Sequence, residues 1–78
     1  MNITEQYLIS KGFKPTNGYL GSRYMFKIDP ELKNSNVIYA YQTNKWFVAL
    51  TVNNNAISHN IYEQEKLEAL IFALVSSN

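Results

Sequence analysis

Seventy-eight residues make one domain, residues 1–78, and a chain this short buries only about 60% of its unfolded surface, which leaves a narrow stability margin. The absence of cysteine excludes disulfides and thiolate metal sites, and a 46% hydrophobic content supports one core rather than disorder. A formal charge of +1 argues against a dedicated nucleic-acid binder, and no run of 18 apolar residues offers a membrane span.

The N-terminus shows no basic stretch followed by an apolar one, so no signal peptide is expected and the reading is cytoplasmic. Ten asparagines, with many Ile, Lys and Tyr, draw on A/T-rich codons and hint at an AT-rich genome, as in many bacteria and their phages.

Taken in chain order, "NITEQYLISKG" predicts a first helix. Asn2 and Glu5 have capping-box spacing, Ile3, Tyr7 and Leu8 share a face, and Gly12 supplies the stop. Phe13 then turns toward the core. "KPTNGYLGS" reads as a loop, with its two glycines ahead of a strand rather than between strand and helix, so it is a turn and not a phosphate loop. "SRYMFKI" alternates: Tyr24, Phe26 and Ile28 point one way, Arg23, Met25 and Lys27 the other. "DPELKNSN" is a polar connection.

"VIYAYQTNKWFVALTV" predicts a hairpin. A two-residue turn at Asn44-Lys45 would oppose Tyr41 to Val48 and Tyr39 to Leu50. Val37, Tyr39, Tyr41, Trp46, Val48, Leu50 and Val52 then form the core face. Ile38, Ala40, Gln42, Phe47, Ala49 and Thr51 form the other. Asn53 to Asn55 make a turn, "AISHNI" a short fourth strand with Ile57 and Ile61 inward, and residues 61–75 a closing helix. That helix would be capped by Asn60 with Glu63 and striped by Leu67, Leu70, Ile71 and Leu74. The expected fold class is α+β: a two-layer domain of order α-β-β-β-β-α, with two helices on one face of an antiparallel sheet of three to four strands.

Chemistry is sparse. His59 is the single histidine, and its alternation with Ile57 and Ile61 places it near the core or a sheet edge. Asp29 and Glu31 flank Pro30, where a solvated turn is the plainer reading than a paired acid and base. No nucleophile–base set and no metal-ligand spacing emerges, so neither an enzyme nor a cofactor is expected.

The order α-β-β-β-α is similar to that of double-stranded RNA-binding domains. "YEQEKLE", however, stands where those domains carry lysines at the start of the last helix. "SKGFKPTNGYLGSRYMF" resembles the start of the HicA toxin family, in which a Gly-aromatic helix end precedes a Gly-Ser-His segment. The catalytic histidine of that family falls on Arg23, so the resemblance implies no ribonuclease activity here. In size, composition and layout the chain also resembles small phage- or mobile-element-encoded inhibitors of host machinery, anti-CRISPR proteins among them.

That resemblance implies stoichiometric binding to a host protein in the host cytoplasm. The surface expected to carry it is the open sheet face, with Arg23, Met25, Lys27, Ile38, Phe47 and Ala49 as contacts. Homodimer packing through the same face and augmentation of an edge strand are alternatives. Nucleic acid ranks second as a partner, because a single-strand reader needs several aromatics on that face and this register supplies Phe47 alone.

Overall fold

The computed structural model describes residues 1–16, 21–28, 36–52, 55–56 and 59–76. Its order is α1 (Glu5–Ser10), β1 (Lys14–Pro15), β2 (Tyr24–Lys27), β3 (Val37–Gln42), β4 (Trp46–Val52), β5 (Asn55–Ala56) and α2 (Gln64–Ser76). The strands form one antiparallel sheet in sequential order, β1-β2-β3-β4-β5. This is the expected α+β domain, with a two-residue strand added at the β2 edge. Pro15 suits that place, since an edge strand can spare a backbone donor.

Both helices lie on the same face of the sheet. Leu8 of α1 and Leu67 of α2 are fully buried in one cluster with Ile3, Phe13, Ile38, Ala40, Val48 and Leu50. Tyr24, Phe26, Ile28, Trp46, Leu70, Ile71 and Leu74 pack around it. The stripe read from α2 and the alternation read from β2 therefore point where the sequence predicts.

The helix starts differ from expectation. Thr4, not Asn2, caps α1: its Oγ1 accepts the Tyr7 amide at 3.1 Å. Asn2 instead bridges Glu63 in an antiparallel pair, and Ile61 bridges Val48. The segment predicted as the first turn of the last helix is thus extended, and α2 begins only at Gln64. Long-range backbone bonds outcompete the Asn60–Glu63 cap: the Ile3 amide donates to Tyr62 O at 3.0 Å, and the Gln64 amide to Met1 O at 2.8 Å.

The end of α1 follows the sequence. Gly12 has φ 96°, a left-handed conformation that glycine adopts cheaply. The Phe13 amide donates to Leu8 O and the Gly12 amide to Ile9 O, both at 3.1 Å, and Phe13 packs beside Leu8 in the core. This is a Schellman ending. Tyr7 joins the two helices. Its hydroxyl donates to Gln64 O at 3.3 Å, and burial, then Glu68, pushes its phenol up to about 12.

The hairpin is the main correction. Its register pairs Gln42 with Trp46, Tyr41 with Phe47, Ala40 with Val48, Tyr39 with Ala49 and Ile38 with Leu50. The connection is three residues, Thr43 to Lys45, rather than two. One extra residue leaves β4 as predicted but reverses every side chain of β3. Ile38 and Ala40 are fully buried under the helices. Val37, Tyr39 and Tyr41 turn to the outer face. His59 is exposed rather than near the core. Asp29, Glu31, Ile57 and the Gly18–Leu20 part of the glycine loop lie outside the described residues.

Candidate functional surface

With β3 reversed, the outer face of the sheet gains rings. Tyr41 and Phe47 are register partners, their centroids 5.2 Å apart and their planes 16° from parallel. Ile61 pairs with Val48 on the core side, so the next residue, Tyr62, falls beside Phe47 on the outer side at 5.5 Å. Tyr41, Phe47 and Tyr62 thus form an aromatic ladder running across the sheet from β3 to the segment after β5. Tyr62, at its end, is 42% exposed, and the other two are half-buried.

A second row lies beside the ladder. Lys14 pairs with Met25, Met25 with Tyr39, and Tyr39 with Ala49. A third row runs from Lys27 through Val37 to Thr51. A groove at the β1–β2 edge, lined by Gly12, Lys14, Pro15, Met25, Phe26 and Lys27, borders these rows. At the opposite end of the sheet the Arg23 guanidinium donates to Gln42 Oε1 at 3.1 Å, close to the three-residue turn that carries Lys45.

Of the six contacts read from the sequence, Met25, Lys27 and Phe47 stand on this face, and Arg23 stands at its rim. Ile38 does not: it is core, because the turn is longer than predicted. Ala49 does face outward but is only 7% exposed, a floor beneath larger neighbours rather than a contact. Tyr39, Tyr41, Tyr62 and Lys14 were missed.

Charge is segregated between the layers. Among the described residues, the sheet carries Lys14, Arg23, Lys27 and Lys45 and no Asp or Glu. The acids Glu5, Glu63, Glu65 and Glu68 belong to the helices and the segments beside them. Every ion pair among the described residues is also there: Met1 ammonium to Glu65 at 2.8 Å, Lys11 to Glu68 at 2.7 Å and Lys66 to Glu63 at 3.2 Å. These contacts hold the Glu65 and Glu68 carboxyls below their ordinary range: first the Met1 ammonium for Glu65, and first Lys11 for Glu68. Glu5 accepts the Tyr24 hydroxyl at 2.9 Å, which raises that phenol. Among the described residues, the cations without an ion pair therefore lie on the sheet, while Glu63, Glu65 and Glu68 pair with cations on the helical side.

Among the described residues, no helix is long and apolar enough to cross a membrane. A second exposed apolar surface lies on the helical side. There Ile71, Phe72 and Val75 line a groove with the Lys11–Glu68 pair, and Phe72 is 74% exposed. Comparison with protein-family models, with curated proteins and with solved structures returned no match. The functional reading therefore rests on the chemistry of the surface itself.

Proposed function

We propose that this chain is a non-catalytic binding module whose open sheet face docks a polyanionic macromolecule. The observation that carries the reading is the aromatic ladder set in a sheet layer with four cations and no acid among the described residues. Cations with no acid among the described residues of their layer attract anions, while half-buried rings supply contact area at small entropic cost. The helical layer, where Glu63, Glu65 and Glu68 pair with neighbouring cations, offers no such field.

A protein partner is the second reading. It is favoured by the near-parallel packing of Tyr41 on Phe47, which presents a preformed apolar surface of the kind that protein interfaces use. It also agrees with the likeness in size and layout to phage-encoded inhibitors of host proteins. Under it the protein covers an acidic functional surface of its target stoichiometrically.

Heparin tests the first reading. The wild-type protein is expected to be retained on a heparin column at low salt. Charge reversal on the sheet, Lys14→Glu with Lys27→Glu, should abolish retention, while Lys66→Glu on the helical side should leave it nearly unchanged. Equal loss in both variants, or no retention at all, contradicts the proposal.

A further inference from the structure

The shape of the face narrows the class of polyanion. We infer that the docked molecule is a single-stranded nucleic acid, its bases stacked along the Tyr39–Tyr41–Phe47–Tyr62 surface and its phosphates met by the rim cations. The inference rests on the polyanion reading above and names its ligand.

Three features favour a single strand over a duplex. First, the rings lie on the face of an antiparallel sheet, with neighbouring strands about 4.8 Å apart. Such a surface enters neither groove of a duplex, whose base edges are read by protruding helices, ribbons or arms. Second, the rings are clustered: Tyr41 and Phe47 stack on each other, and Tyr62 at the end of the ladder is 42% exposed, a ring open to stacking by an unpaired base. Open sheets and grooves that bind single strands combine such rings with cations. Third, the cations lie at two ends of the surface. Lys14 and Lys27 sit at the β1–β2 edge, and Arg23 and Lys45 near the β3–β4 turn. A backbone passing from the β1–β2 edge over Tyr39 and Tyr41 toward the β3–β4 turn meets positive charge at both ends of that path.

An acidic protein surface would use the same cations and could use the same rings, so the test must separate the two through the exposed Tyr62. Tyr62 lies outside the core cluster, its ring touching Phe47 on the outer side. Its backbone carbonyl, not its ring, holds the N-terminal segment. Removing the ring therefore probes binding without dismantling the fold.

The test is fluorescence anisotropy with 5′-labelled dT12 and U12, a 12-base-pair duplex, and unlabelled heparin as competitor. The single strands are expected to bind more tightly than the duplex. Tyr62→Ala should weaken them about 10-fold, within the range for loss of one base stack, while leaving the heparin affinity unchanged. Four phosphate contacts at most give a slope of log K against log salt no steeper than about −3.

The inference is overturned if heparin, duplex and single strands bind alike and Tyr62→Ala changes none of them. The polyanion reading would then stand without it. If none of the polyanions binds, both readings fall. If an acidic protein is captured from nuclease-treated lysate by the wild type and not by Tyr62→Ala, with no oligonucleotide binding, the ligand is a protein and the inference is wrong. Self-association through this face, seen as a dimer that Tyr62→Ala dissociates, would overturn it equally.

Discussion

Ile38→Asp leaves the protein unfolded at room temperature, whereas Tyr39→Ser leaves it folded with a loss of about 1 kcal/mol. The two residues are adjacent in β3 and point to opposite layers. Ile38 is fully buried between the sheet and the helices, opposite Leu50 and beside Phe26. Removing its side chain alone costs about 2–5 kcal/mol, and a carboxylate in the same place finds no partner in the apolar cluster. A domain of this size has roughly 4–12 kcal/mol of stability in total, so the combined cost removes most or all of it. Tyr39 faces outward between Met25 and Ala49, so its replacement trims cross-strand contacts and spares the core cluster. Circular dichroism with urea titration reads both. A two-residue turn at Asn44-Lys45 predicts the reverse outcome, an intact Ile38→Asp and an unfolded Tyr39→Ser.

Phe47→Glu abolishes binding to a single strand while leaving the helical and strand content unchanged. Phe47 is the middle rung of the ladder, within 5.5 Å of Tyr62 and 5.2 Å of Tyr41. Its loss removes the surface on which both neighbours are held. The new carboxylate also puts a negative charge among the rings, in the layer that otherwise carries only cations among the described residues. Stacking accounts for about 1–3 kcal/mol per base, and repulsion from the phosphates adds to it, so the loss in affinity should exceed about 100-fold. Phe47 is half-buried and pairs with Tyr41 on the outer face, so its replacement spares the core cluster. An unchanged affinity in a folded variant contradicts the assignment of this face.

How much of this was legible in the sequence depends on where the pattern is two-sided. The β2 alternation marks its faces, because Lys27 and Phe26 differ sharply in polarity. The stripe of α2 is equally plain. The β3 segment is not: Val37, Ile38, Tyr39, Ala40 and Tyr41 are apolar or aromatic at every position, so neither parity is marked. The turn then decides the register, and Thr43-Asn44-Lys45 has no glycine to fix its length. One signal was available. Isoleucine is buried more often than tyrosine, and alanine lets a helix approach closely, so Ile38 and Ala40 suit the core better than Tyr39 and Tyr41. The late start of α2 could not be read locally, since its cause is pairing with Asn2 and Val48, distant in sequence.

The same correction changes the functional reading. The sequence register leaves Phe47 as a lone ring on the open face and places Ile38 among the contacts. The observed register brings Tyr39 and Tyr41 to the face of Phe47, and the Val48–Ile61 bridge adds Tyr62, so the face carries the several aromatics that a single-strand reader needs. The charge segregation was present in the sequence as the acid-free stretches from residue 6 to 28 and from 32 to 62. Its meaning appears only when the strands within those stretches pair into one sheet, while Glu63, Glu65 and Glu68 pair with cations on the helical side.

The most direct measurement is a 1H–15N NMR titration of the folded protein with dT12, following the backbone amides. The account predicts that the largest shifts map to Lys14, Met25, Tyr39, Tyr41, Phe47 and Tyr62, with little change in α2. Shifts concentrated on Ile71, Phe72 and Val75, or the absence of any shift at millimolar oligonucleotide, would contradict it.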